Sequence, residues 1–357
     1  MLRRHQHGMS LVELMVGILV GLLVVIAASG SLAFFEGQRK TSLSGNSAMN
    51  SGVMAGYMLQ RDLRNAGVGL MNAAQLVCSS VNLYYDNAVR ADGTAVAPAR
   101  LADGGAAGSD TISVFFTDSV LGSAPVQLTR GLTTANDSLY VNSVSGLKTG
   151  DVVLIAGSSG ADPCTVAQIS SIAAVGTEVQ LTRTAGTSDP WNAPDPAAAF
   201  ANAPLYPAGG SVIKSGSTLT WRRYSVANGA LNVADVVTGT TIQVASNVVS
   251  MQAQYGVTDG ISNEVRRWVD AVDEWVDPTP DLITRIRALR FSVVVRSDRK
   301  ELLKDDNGDC ATTTAAPAPW SDVAALDMSA DPDWRCYRYQ VYASIVPLKN
   351  VVWGVSQ

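Results

Sequence analysis

Residues 9–35 read MSLVELMVGILVGLLVVIAASGSLAFF, and Glu13 is their only charge. The uncharged run from Leu14 to Phe35 is 22 residues, about 33 Å as a helix at a rise of about 1.5 Å per residue, which is enough to span a bilayer. A secretory signal has an apolar region of only about 7–15 residues before its cleavage site. The run is too long for that, although Ala27-Ala28-Ser29 imitates such a site. A plain signal anchor fits the length but leaves Glu13 unexplained. A lone carboxylate in an apolar helix costs about 2.5 kcal/mol or more near the bilayer centre, so it marks a functional position.

The rest of the 357-residue chain narrows the choice of chemistry. Only 16% of residues are charged, with a formal net charge of −5, against about 25% charged in average globular domains. A pI near 5.1 gives no general attraction to nucleic acid or anionic lipid. The two histidines, His5 and His7, both precede Gly8. A chain cut after Gly8 therefore has no imidazole for a nucleophile triad, a general base or a zinc site.

Ahead of the apolar run stands MLRRHQHG, short and basic. The sequence Gly8-Met9-Ser10-Leu11-Val12-Glu13-Leu14-Met15 resembles the type IV prepilin signature: a basic leader, Gly at the cleavage point, a hydrophobic residue, and Glu five residues past that Gly. The resemblance implies cleavage after Gly8 by a membrane prepilin peptidase/N-methyltransferase, which methylates the new N-terminus at Met9. It also implies that the retained Glu13 pairs with the N-terminal amine of a neighbouring subunit, so that neither charge is left alone in an apolar core. Met9 replaces the more usual Phe, and Gly30 lies where major pilins commonly carry a helix-loosening Pro.

Beyond the run, residues 37–50 are small and polar, and a helical pattern then resumes. Met49, Val53 and Tyr57 fall on one i, i+4 row and Leu59 and Leu63 on an adjacent one, with Gly67 and Gly69 as punctuation. This predicts one long helix over about 10–66. Its stretch Tyr57–Gly67 (YMLQRDLRNAG) resembles the post-anchor feature of PilW-type minor pilins. After residue 68 the pattern is β: Thr111–Phe116, Ser138–Val141, Asp151–Ile155, Thr177–Thr182 and Thr218–Tyr224 are short runs among turn residues. The turn and strand Leu147–Ile155, and the last strand Tyr337–Val346 ending in Pro347-Leu348-Lys349-Asn350, resemble PilW-type proteins as well. Within Leu289–Arg296 the row Leu289, Phe291, Val293, Val295 alternates with Arg290, Ser292, Val294, Arg296, which predicts one buried and one mainly wet face. In the last strand Tyr339, Val341, Ala343 and Ile345 alternate with Arg338, Gln340, Tyr342 and Ser344. Residues 189–207, rich in Pro and Ala, read as an exposed loop.

The expected fold is α+β and pilin-like: a long N-terminal helix packed on a large, mainly antiparallel β-sheet head. Residues 1–8 are the leader, 9–36 the membrane-spanning or filament-core half of the helix, 37–67 its periplasmic half, and 68–357 the head, with a β insertion at about 130–185.

Cys78, Cys164, Cys310 and Cys336 all lie beyond the membrane run, and in an oxidising periplasm they read as two disulfides. Of the three pairings open to four cysteines, the one with Cys310–Cys336 stapling the loop before the last strand is favoured. Cys78–Cys164 follows by elimination. The chain has no C-x-x-C pair to suggest a zinc site. Asp305, Asn307 and Asp309 have the alternate spacing that opens a Ca²⁺ loop, but Cys310 replaces the required Gly and the closing Glu is missing, so the stretch reads as a polar turn. Arg222, Arg223, Arg266, Arg267, Arg285, Arg287, Arg290, Arg296 and Arg299 interleave with aromatic residues. Asp270, Asp273, Glu274 and Asp277 offset them, so structural or partner-facing pairs are expected and nucleic acid is not. No catalytic constellation emerges, and no cofactor is expected.

The resemblance implies a minor pilin of the PilW type, not an enzyme. Its head would lie in the periplasm on a single inner-membrane span and then join the surface pilus. Implied partners are the peptidase, other minor pilins, the major pilin and a pilus-tip adhesin, with roles in pilus assembly and in motility or adhesion. Two other readings are a type II secretion pseudopilin, which shares the N-terminal signature, and a membrane-anchored periplasmic binding protein or enzyme.

Overall fold

The structure is a computed structural model that describes residues 11–355 apart from 73–74, 106, 118–124, 145, 159–161, 187, 261 and 302. Helix α1 runs unbroken over Leu11–Asn65, about 80 Å at helical rise. It stops where Gly67 and Gly69 take φ of +83° and +76°, the left-handed region that glycine enters without a Cβ penalty. The chain is then caught by the sheet: the Gly67 N–H donates to Phe115 O, and the Thr117 N–H donates to Val68 O.

Two antiparallel sheets carry the helix. The first has five strands, in the order Thr241–Ser246, Ala230–Asp235, β1 (Leu219–Ala227), Thr111–Thr117 and Ala99–Ala102. The second has four, in the order Arg267–Val269, β2 (Val248–Val257), β3 (Ile286–Arg296) and β4 (Tyr339–Pro347). Their shared core joins Ala55, Leu59 and Leu63 of α1 to Tyr224, Met251, Tyr255, Leu289 and Phe291.

A second region lies across the five-stranded sheet. Phe115 and Trp221 leave the helix-side core and pack edge-to-face at 5.8 Å into a separate apolar cluster with Val81, Leu83, Leu154, Val166 and Trp191. That cluster belongs to a six-stranded sheet in the order Ala88–Ala95, Ser80–Tyr85, Cys164–Gln168, Val152–Ala156, Ser211–Gly216 and Val126–Gln127. Its one parallel pair joins Ser80–Tyr85 to Cys164–Gln168. A three-stranded sheet of Ser171–Val175, Glu178–Thr182 and Leu139–Val141 adjoins it. The residues 130–185 therefore do not stand apart. Two of their strands sit inside the six-stranded sheet, and their core reaches from Val126 to Val212.

The structure departs from the simplest sequence patterning in four places. On α1 the row Met49, Val53, Tyr57 is exposed, and Ala48, Gly52, Ala55, Leu59 and Leu63 are the buried face. The helix lies close on the sheet, so small residues turn inward. Strand β3 is buried on both faces, because residues 297–338 fold over the side that the alternation leaves wet. On β4 the row Val341, Ala343, Ile345 faces outward, while Tyr342, Ser344 and Val346 turn to the helix side. The stretch 189–207 is tied down by buried Trp191, Phe200 and Tyr206. It includes a short helix, Pro196–Ala199, capped by the Asp195 side chain. Three large anchors in a Pro/Ala-rich context outweigh the composition.

Candidate assembly interface

The lower half of α1 has no cover. Over Leu11–Leu32 the mean hydropathy is 2.8 and none of the segment is buried within the chain. Hiding a large aliphatic side chain gains about 1.5–3 kcal/mol, so leaving this run in water costs on the order of tens of kcal/mol. Lipid or neighbouring helices must enclose it. Its polar atoms are already provided for: the Ser29 and Ser31 hydroxyls donate to Val25 O and Ala27 O at 2.7 and 3.1 Å, so no hydroxyl enters lipid unpaired. Glu13 lies in the first described turn, on the outer surface. Gly8 and Met9, together with His5 and His7, lie outside the described residues.

The upper half is locked to the head. Asp62 is 1% exposed; its carboxylate accepts from Tyr224 Oη at 2.6 Å and Arg222 Nη1 at 2.8 Å and pairs with Arg61 at 3.0 Å. Burial, with the Asp62 charge adding to it, pushes the Tyr224 hydroxyl well above its ordinary pKa. Tyr224 therefore remains a donor. At Gly52 an added Cβ would fall 1.9 Å from the Tyr342 ring, so only glycine lets the helix lie this close to β4. Gln60 Nε2 donates to Ser344 Oγ at 2.7 Å. At the helix end, Asn350 Nδ2 donates to the Ala66 carbonyl at 2.9 Å and satisfies one of the acceptors a helix end leaves open.

This lock is what reading the sequence missed. A signal was present: Asp62 sits between Leu59 and Leu63 on the inward row, where a charge needs a buried partner.

Structure places the remaining candidates in supporting roles. Cys78 is bonded to Cys164 and Cys310 to Cys336. The Arg290 side chain is 8% exposed beside Asp322 at 2.9 Å. Its Nε donates to Gln254 Oε1 at 2.8 Å, and its guanidinium lies over the Trp268 and Trp320 rings at 5.0 and 4.4 Å. Arg296 pairs with Asp331 at 2.8 Å above Tyr337. These contacts and the Cys310–Cys336 bond hold residues 297–338 on β3. Arg222, Arg266 and Arg267 likewise face carboxylates. Asp305 does not converge with Asn307 and Asp309 on a common point; its Oδ1 accepts from the Asn307 and Asp309 N–H groups at 3.0 and 2.9 Å. Among the described residues no group of three or more His, Cys, Asp or Glu is placed to hold a metal ion.

Comparison with known families adds two matches. Residues 3–29 match the prokaryotic N-terminal methylation motif. Residues 212–350 match the type IV pilus-assembly protein W (PilW). The two matches together support a PilW-type minor pilin of the type IV pilus. The PilW-matched stretch contains β1 through β4, the strands that hold the upper half of the pilin helix. A solved structure that matches is the type IV-like pilin TTHA1219 from Thermus thermophilus, 16% identical over 38% of this chain and 70% of that one, with a TM-score of 0.22. No curated protein matches. A prepilin motif and a pilin family imply processing by a prepilin peptidase and contact with other pilus components.

Proposed function

We propose that this minor pilin acts in the complex that starts a pilus, with its head carried at the tip. One observation carries the reading: a single helix with an uncovered apolar half bears a head spanning residues 68–357, built of several sheets. A head of that bulk crowds a closely repeating helical lattice, whereas a terminal position leaves it room. In this reading cleavage after Gly8 frees the Met9 amine for methylation. Glu13 then pairs with a neighbour's N-terminal amine in the dry filament core, where either charge alone is costly. The head waits in the periplasm on one inner-membrane span until extraction into the filament, and it contacts other minor pilins and a tip adhesin.

Subunit counting in purified pili tests the placement. The expected result is a few copies per filament, far below the major pilin. Abundance equal to the major pilin overturns it. Recovery in secretion-system pseudopili, with surface pili unaffected by loss of the gene, favours the pseudopilin reading instead.

A further inference from the structure

Strand β4 is the outer edge of the four-stranded sheet. It reads YQVYASIVP, nine residues without a charge, and pairs with β3 in unbroken register from Tyr339 to Pro347. An edge strand presents a row of unpaired N–H and C=O groups, and proteins blunt such edges with charges, bulges or short length. The other long edges among the described strands are blunted. Ala88–Ala95 carries Arg90 and Asp92 and two register shifts, and Thr241–Ser246 has one shift. The opposite edge of the same sheet, Arg267–Val269, has three residues and begins with an arginine. Ser171–Val175 is uncharged and unshifted but has only five residues; among the described edges β4 alone combines nine residues, no charge and unbroken register.

Its surroundings make the edge part of a larger surface. Val341 and Ile345 are 40% and 61% exposed, with exposed Ala343 between them. On the other side of the strand Tyr342 meets Gly52, and Ser344 meets Gln60. Next to those two positions around the helix lies the row Met49, Val53, Tyr57, all more than half exposed. The apolar surface thus continues from β4 onto α1 at Met49, Val53 and Tyr57, and the small, polar residues 37–48 separate it from the bare run Leu11–Leu32.

We propose that β4 receives an extended, uncharged strand from the head of a different pilin subunit, whose own helix lies along Met49, Val53 and Tyr57. This deepens the assembly reading and rests on it. A free peptide would cover the edge and leave the helix row bare, whereas a helix-anchored subunit covers both. A second copy of this chain fits poorly. The contacts Gly52–Tyr342 and Gln60–Ser344 show that α1 and β4 advance in the same sense. Two copies joined β4-to-β4 across a two-fold axis would run antiparallel, and their membrane helices would then point in opposite directions.

The test uses the full-length protein in piliated cells, with a photo-crosslinking residue at Ala343 and a control at Val175 on the outer three-stranded sheet. The Ala343 position is expected to give an adduct with one other prepilin-class protein, mapped by mass spectrometry to an extended segment of its head. Val175 is expected to give none of that adduct. The double variant Val341→Lys/Ile345→Lys alters only exposed side chains, and its urea midpoint is expected to equal that of wild type. It should lower the adduct about tenfold, as placing lysines on an edge opposes strand addition, and reduce piliation. An adduct with a second copy, no adduct, or an adduct undiminished by the two lysines overturns the proposal. Full piliation by the double variant in a deletion strain that otherwise lacks pili rejects this edge alone. Full piliation of the deletion strain itself rejects the assembly reading beneath it.

Discussion

The helix-bearing region and the outer region solve opposite problems. Around α1 the contacts are polar, specific and close: a buried Asp62 with Arg222 and Tyr224, a glycine against the Tyr342 ring, and Gln60 on Ser344. The outer region joins apolar packing to a cross-link and to polar ties within itself, such as buried Asn192 on the Gln168 backbone. Leu83, Leu154 and Val166 form its centre, Tyr85 meets Trp191 edge-on at 4.9 Å, and Cys78–Cys164 ties the loop before Ser80–Tyr85 to the strand Cys164–Gln168. The PilW match follows this division. It begins at residue 212 and leaves most of the outer region outside. A lock made of directional contacts fixes the angle between helix and head. An apolar, disulfide-bonded outer region needs only to stay folded, which leaves its surface unconstrained by the helix.

The sharpest way to break this contrast is Asp62→Ala. It strands the Arg222 guanidinium and the Tyr224 hydroxyl, and losing one partner of a buried pair costs about 3–5 kcal/mol. Urea unfolding of the full chain in detergent should show a loss of that size. A change below about 1 kcal/mol would mean that the lock is decorative.

Next in size is the double change Cys78→Ser/Cys164→Ser, which opens a link with a sequence separation of 86 residues. Losses of about 2–5 kcal/mol are typical. Hydrogen exchange should place the loss in the six-stranded sheet while the amides of β3 keep their protection. Equal loss in both regions would erase the distinction between them.

Gly52→Ala is expected to cost about 1–3 kcal/mol, the range for overpacking, with exchange rising in β4 more than in the outer sheets.

The last prediction concerns pH. Asp110, buried where the chain enters the five-stranded sheet, accepts from the Gly104 and Ala253 N–H groups at 2.9 and 2.7 Å. Burial, aided by the charges of Asp103 and Asp270, nevertheless raises its pKa from 3.8 to about 6. A raised carboxyl pKa means that the native state holds the proton more tightly than the unfolded chain. Its contribution is therefore fully present below about pH 4 and is lost as pH rises through about 6. Asp110→Asn should flatten that part of the stability profile.

Much of the frame was legible in the sequence. The 22-residue uncharged run from Leu14 to Phe35 lies wholly within α1, and the glycines at 67 and 69 mark its C-terminal end to within a few residues of Asn65. The strands around Thr111, Val152, Leu219 and Leu289 also stand where β-branched and aromatic residues cluster. What hydropathy ranked wrongly was direction. Met49, Val53 and Tyr57 outweigh Ala48, Gly52 and Ala55 on any hydropathy scale, yet close approach selects small side chains for the inner face. Likewise Arg290 and Ser292 are polar by composition, and only a distant loop, held by Asp322, Trp320 and a disulfide, buries them. Contacts supplied from elsewhere in the chain leave no mark on the local period.

The central claim is that this chain works by assembling, through a helix whose single apolar-run charge is Glu13. The direct measurement is surface piliation in a deletion strain complemented with wild type or with Glu13→Ala. The account predicts few or no pili in the deletion, restoration by wild type, and failure by Glu13→Ala at equal expression. Normal piliation in the deletion strain, or full rescue by Glu13→Ala, would contradict it.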